Sequence, residues 1–161
     1  MRATDDAVRI DEIMSTNVLS VRPETPVSEV AELLSKHRIS GVPVLDSDDV
    51  PVGIVSEIDV ISRSGEIASD IMSHGVISVT EETPAEDIIE ILGSRRVRRV
   101  PVIRNGKIVG IISRSDLVRL FSITRWTCAD CGYFERGFVR PAKCSECGSE
   151  AIALHREPPG M

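Results

Sequence analysis

Residues 1–120 carry no aromatic side chain. Phe121, Trp126, Tyr133, Phe134 and Phe138 are the whole aromatic complement, 3% of the chain. A flat ligand held by that first part would have to pack between aliphatic groups, because no ring is there to stack on. Cysteine is missing from the same stretch: Cys128, Cys131, Cys144 and Cys147 all follow it. Apolar runs are only a few residues long, too short to cross a bilayer as a helix. The opening residues, Met1-Arg-Ala-Thr-Asp-Asp6, are acidic and have no apolar core, unlike a secretory signal. Together these absences make the cytoplasm the expected location, where thiols stay reduced.

An excess of positive charge is also missing. The net charge is −6, divided as −7 over residues 1–66, +1 over 67–122 and 0 over 123–161. Phosphate neutralisation supplies most non-specific nucleic-acid affinity, so the balance disfavours nucleic acid as a partner. A small anion held at one basic spot remains compatible with it. No nucleophile–base pair and no Gly-rich phosphate loop appears, and the expectation is that the chain is not an enzyme. His37 and His74 have no cysteine, histidine or acidic companion at metal spacing and read as surface or helix-end residues. What remains is the composition of a soluble globular protein, 42% hydrophobic and 27% charged.

The chain contains one unit written twice. Ile13-Met14 recurs as Ile71-Met72, Thr25-Pro26 as Thr83-Pro84 and Pro43-Val44 as Pro101-Val102, each offset by 58. Past the loops at 46–51 and 104–107 the offset is 57, and Gly53-Ile-Val-Ser-Glu-Ile-Asp59 matches Gly110-Ile-Ile-Ser-Arg-Ser-Asp116. One deletion in a turn accounts for the slip. Within each copy, residues 18–21 and 76–79 read as short strands. Thr25 and Thr83 read as helix N-caps with Pro26 and Pro84 at the first helical position, and Glu86 completes a capping box with Thr83. Apolar residues at Val27, Val30, Ala31 and Leu34, and at Ala85, Ile88, Ile89 and Leu92, give two half-buried helices. A hairpin follows, turning at 46–49 and at Asn105-Gly106. A second helix closes each copy, over 56–63 and 113–121. The unit is β-α-β-β-α, and each copy is small enough that sharing a core with the other explains the duplication.

Two readings of Gly-x-x-Ser-x-x-Asp stand side by side. Ser56 and Ser113 sit at helix starts, where free backbone N–H groups favour a phosphate, and Ser115 adds a hydroxyl. Asp59 and Asp116 can accept from the hydroxyls of a ribose. The same pattern is also a capping box, with Ser capping the helix and the acid bonding back. Arg95, Arg96, Arg98 and Arg99 form the densest basic cluster. Arg95 and Arg96 read as a solvated face. Arg98 and Arg99 stand just before Val100-Pro101, where the first copy has the uncharged Ser40 and Gly41.

The repeat resembles the CBS domain, named for cystathionine β-synthase, and the pair resembles a tandem CBS module over about residues 8–122. The residues that carry the likeness are Ile13-Met14, the Thr-Pro helix starts, Ser40-Gly-Val-Pro-Val44, Arg99-Val-Pro-Val102 and the two Gly-x-x-Ser-x-x-Asp segments. The resemblance implies binding of adenosine nucleotides such as AMP, ADP or ATP, or sometimes S-adenosylmethionine, in clefts between the repeats. It also implies regulation rather than catalysis, and a homodimer. It makes Ser56, Asp59, Arg98, Arg99, Ser113, Ser115 and Asp116 the nucleotide contacts. Arg98 and Arg99 would serve one cleft, by resemblance the one with Asp59, so the two sites should be unequal. Adenine would pack between side chains such as Val21, Val42, Ile77 and Val100.

Past Thr124 the chain changes character. Cys128-Ala-Asp-Cys131-Gly and Cys144-Ser-Glu-Cys147-Gly are two knuckles separated by a short hairpin, the spacing of a tetrahedral four-thiolate site for zinc or iron. The trailing glycines allow tight turns whose amides can bond to sulfur. Disulfides or a thioredoxin-type redox pair suit a cytoplasmic chain without a strand–helix setting less well. With Trp126, Tyr133, Gly137 and Pro141, the segment resembles both rubredoxin-like and zinc-ribbon domains. The short stretch between knuckles and Ser145 in place of a common proline depart from rubredoxins and favour the ribbon. The expected fold class is α+β: a tandem β-α-β-β-α pair (8–65 and 66–122), a small metal-bound β domain (123–155) and a frayed tail (156–161). The expected function is a nucleotide-binding regulatory protein with a four-cysteine metal module as output or docking domain for an unidentified protein partner. Its alternatives are an iron electron carrier regulated by nucleotide, and a zinc-ribbon scaffold for protein or nucleic acid.

Overall fold

The computed structural model describes residues 8–94 and 97–157. The readings of Arg95 and Arg96 and of the tail beyond Glu157 fall outside these residues. Each repeat is built on an antiparallel hairpin: β1 (Gly41–Leu45) with β2 (Pro51–Ser56), and β3 (Arg99–Arg104) with β4 (Lys107–Ser113). Both hairpins shift register, after Val44 and after Val102. The turns use Asp49, Asn105 and Gly106 at positive φ, the residue types that tolerate it best.

Helix α1 (Val27–His37) and its counterpart α4 (Ala85–Ser94) bury most of the expected stripe, Val30 with Leu34 and Ala85 with Ile88 and Leu92, while Val27 and Ala31 are half-buried and Ile89 is exposed. α1 stops at Arg38, whose left-handed φ of 52° lets its N–H reach the Leu34 and Ser35 carbonyls. The predicted threonine caps are corrected by one residue. The helices begin at Val27 and Ala85, after the prolines, and Pro26 is the N-cap of α1. Thr25 and Thr83 stand too early. Their hydroxyls accept from the Arg22 and Thr80 amides at 2.9 and 3.0 Å and close the turn before the helix. Thr83 therefore forms no box with Glu86.

The strands predicted at 18–21 and 76–79 are reduced to single parallel bridges, Val21 to Val44 and Val79 to Val102. Val21 donates to the Pro43 carbonyl and accepts from Leu45. The next rung toward the N-terminus would need an N–H from Pro43, and in the second repeat from Pro101, which proline lacks.

α2 (Glu57–Ser62) and α5 (Arg114–Ile123) follow β2 and β4 directly, and a short α3 (Ala68–Ile71) links the repeats. The repeats exchange their leading segments. Ile10, in a 3-10 turn over Ile10–Glu12, packs in the core of the second repeat with Ile88, Val100 and Ile112. Ala68, Ile71 and Met72 pack in the core of the first with Val30, Val42 and Val55. Ser15 pairs with Ile111 of β4, and Ser73 with Ile54 of β2. Met14 crosses Gly110 and Met72 crosses Gly53, so closely that a Cβ at either glycine would lie 2.5 Å from the methionine sulfur.

β5 (Thr124–Cys128) starts where α5 ends and is the central strand of a three-stranded antiparallel sheet, between β6 (Phe134–Arg136) and β7 (Ile152–Arg156). A third core joins this sheet to the rest: Val8, Ile13 and Leu120 pack with Trp126, Cys128, Cys144 and Ile152. Arg156 pairs with Glu12, and the Glu157 amide donates to Ile123 O. Among the described residues, no helix is long and apolar enough to cross a membrane.

Candidate functional site

A cavity of about 370 Å³ lies between the repeats. Ser56 and Asp59 line it from the first repeat, Arg98 and Arg99 from the second. Its apolar walls are the half-buried Ile54, Val76, Ile77, Val97 and Ile111, with Val42 and Pro43 behind them. Of the aliphatic residues expected to face a base, Val42 and Ile77 line the cavity. Val21 and Val100 do not line the cavity, because both are spent in the two hydrophobic cores.

Both Ser-x-x-Asp segments are capping boxes. Asp59 Oδ2 accepts from the Ser56 amide and hydroxyl, each at 2.8 Å, and Oδ1 pairs with Arg63 Nε at 3.2 Å. A carboxylate offers about four acceptor positions, so one stays open on Oδ1 for a further donor. Asp116 repeats the pattern: Oδ2 takes the Ser113 amide and hydroxyl at 2.8 and 2.9 Å, and Oδ1 takes Arg119 at 3.2 Å. Ser115 Oγ lies 2.8 Å from Ser113 Oγ. Capping and ligand contact are therefore compatible in this geometry. The structure separates the two copies, however: Ser113, Ser115 and Asp116 lie outside the lining of the cavity that Asp59 shares with the arginines.

Two ionisable lining residues were not anticipated as such. His74 lies in the segment after Met72 that pairs with β2, and Glu57 is the first residue of α2. The repeat alignment held the signal for both, since it sets Glu57 against Arg114 and His74 against Thr16, but it carried no chemistry to single them out.

The four cysteines converge. Their sulfurs all lie within 4.8 Å of one another, with Cys128–Cys147 and Cys131–Cys144 both at 3.6 Å. Sulfurs about 2.3 Å from a central ion in a tetrahedron are about 3.8 Å apart, so the donor set fits one four-thiolate ion. The two knuckles have the same backbone. Gly132 and Gly148 take positive φ of 76° and 75°, and their amides donate to Cys128 O and Cys144 O. The Cys131 amide, helped by that of Asp130, holds the Cys128 thiol down at about 7. The Tyr133 amide acts in the same sense on Cys131, but burial and the three neighbouring sulfurs push that thiol up to about 12. Cys147 receives the Ser149 amide and is also raised, by burial and by Cys128 and Cys144. One thiolate forms readily and the next resist it, the electrostatics of a sulfur cage that a cation would complete.

The CBS domain family profile matches residues 10–66 and 68–123. The chain belongs to the CBS domain family, as a tandem pair. An uncharacterised protein of Acidianus ambivalens is 33% identical over 119 residues, covering 70% of this chain and 73% of that one. Inosine-5'-monophosphate dehydrogenase of Methanocaldococcus jannaschii is 30% identical over 114 residues, but the match spans only 23% of that enzyme. Among solved structures, CBSX2 in complex with AMP superposes with a TM-score of 0.67 at 29% identity, covering 70% of this chain and 95% of that one. The CBS domain pair of protein MJ0100, in complex with 5'-methylthioadenosine and S-adenosyl-L-methionine, gives 0.66 at 25% identity, covering 72% and 97%. The four-cysteine cluster is compatible with a zinc ribbon.

Proposed function

We propose that this chain is a regulatory protein that binds an adenosine nucleotide in the cavity between its repeats and carries a four-thiolate metal module as its output or docking domain. The observation that carries this reading is the meeting of Asp59 with Arg98 and Arg99, from different repeats, around one cavity of about 370 Å³ with aliphatic walls. In this reading Asp59 Oδ1 takes a ribose hydroxyl, the guanidinium forks take the phosphate, and Ile54 and Ile77 sandwich the base. The AMP complex of CBSX2 supports it by similarity. Cys128, Cys131, Cys144 and Cys147 would hold one zinc or iron ion, which would supply the cross-link that lets so small a sheet fold. The exposed Ile58 and Ile61 on α2 and Val118 and Phe121 on α5 support a homodimer through the helical face.

The test is calorimetric titration of the purified chain with AMP, alongside metal analysis and nucleotide extraction from the same sample. One AMP site is expected, with one metal ion per chain. Two sites of equal affinity would remove the asymmetry that the arginines imply. No binding would remove the sensor reading.

A further inference from the structure

We infer that Glu57 makes the cavity selective for an adenosine monophosphate over the triphosphate. The inference rests on the nucleotide reading above and adds the ligand's charge. The cavity lining is electrically compensated. Arg98 and Arg99 face Glu57 and Asp59 across it, and Asp59 is already engaged by Ser56 and Arg63. Ser40 ties the acidic and basic walls together: the Glu57 amide donates to Ser40 O at 3.0 Å, and Arg99 Nε donates to Ser40 Oγ at 3.3 Å. Ser40 thereby fixes the Glu57 backbone and the Arg99 guanidinium on the same lining, and the Glu57 side chain is exposed there.

The matched residue of the other repeat has the opposite sign. Arg114 turns its guanidinium onto Leu92 O at 2.9 Å, and it does not line this cavity. A monophosphate carries a charge of about −1.5 to −2, which two arginines neutralise. Further phosphates would extend from the apolar walls toward the exposed rim. There, among the described residues, the lining offers them the Glu57 carboxylate and no third arginine or lysine. Like charges brought together in this way act against the longer ligand.

The test compares AMP with ATP by calorimetry on the full chain and on Glu57→Gln, in magnesium-free buffer at about pH 8, where imidazole is ordinarily neutral. The wild type is expected to bind AMP about tenfold or more tighter than ATP. Glu57→Gln is expected to bring ATP within about threefold of AMP while moving AMP itself by less than about threefold. Glu57 enters the α2 cap through its backbone and its side chain is exposed, so the variant should fold, and a thermal melt verifies this. Equal AMP and ATP affinity in the wild type overturns the inference. So does an unchanged ratio in Glu57→Gln, or a parallel loss of both ligands, which would make Glu57 a direct contact. A wild type that binds neither ligand overturns the nucleotide reading itself, and the selectivity falls with it.

Discussion

Asp59 and Asp116 have the same local chemistry and different surroundings, which makes them a natural pair of controls. Each closes a capping box with a serine three residues earlier and pairs with an arginine on the next turn. Replacing either by Asn keeps an acceptor for the serine amide but removes the charge that faces Arg63 or Arg119. Each variant is expected to lose about 1 kcal/mol of stability, the usual scale of a weakened cap. Only Asp59→Asn should weaken AMP by about tenfold or more, since only Asp59 lines the cavity with Arg98 and Arg99. Melting curves read the first effect and calorimetry the second. Equal loss of AMP affinity in both variants would mean that the carboxylates act on binding only through fold stability.

At the scale of elements, the governing feature is the exchange of leading segments. A glycine must stand where Met14 and Met72 cross the opposite repeat, and at Gly53 the fit is tighter. A Cβ there would meet Met72 Sδ at 2.5 Å and also the Ser73 carbonyl oxygen at 3.0 Å, whereas at Gly110 all three nearest atoms belong to the flexible Met14 side chain. Gly53→Ala is therefore expected to destabilise by about 1–3 kcal/mol and by more than Gly110→Ala. Met72→Ala on the Gly53→Ala background should recover less than Met14→Ala does on Gly110→Ala, because the backbone oxygen stays in place. Chemical denaturation of the four variants measures this.

The same exchange marks the limit of what could be read from the chain. The tandem repeat, the hairpins, the α2 and α5 starts and the cysteine knuckles were all legible, because each is written in neighbouring residues or in a constant offset. The crossing of Met14 over Gly110 was not, because nothing local links residues so distant in sequence. The strands expected at 18–21 and 76–79 failed for a reason that was visible but unweighed: Pro43 and Pro101 stop the ladder after one rung. Asp59 and the arginines could be nominated for one cleft by resemblance. That His74 joins them depends on how the segment after Met72 lies against β2, whereas Glu57 joins them as the first residue of α2.

At the scale of the whole molecule, the cavity and the small sheet with its four-cysteine cluster are connected through two elements rather than by a tether. Ile111 lines the cavity, lies on β4 and pairs with Ser15 of the leading segment. β4 runs into α5, and Arg119 of α5 donates to Ile13 O at 2.8 Å. Leu120 and Ile13 then pack with Trp126, and Phe121 stands 5.7 Å from Phe138, ring centroid to ring centroid. A ligand that shifts Ile111 must therefore move both supports of the small sheet or strain them, since packed cores do not deform continuously. Trp126 is 2% exposed, its Nε1 bonds Gly137 O at 3.0 Å, and it is the only tryptophan, so its emission reports this junction. AMP is expected to shift the emission of selectively excited Trp126 along the same saturation curve that calorimetry gives, and Asp59→Asn should displace both curves together. Spatial continuity is not by itself coupling. If AMP saturates the cavity while Trp126 emission stays constant, the module rides on α5 as a rigid appendage. On the proposed sensor reading, the cavity and the four-cysteine cluster would then act by being held at a fixed distance, not by moving.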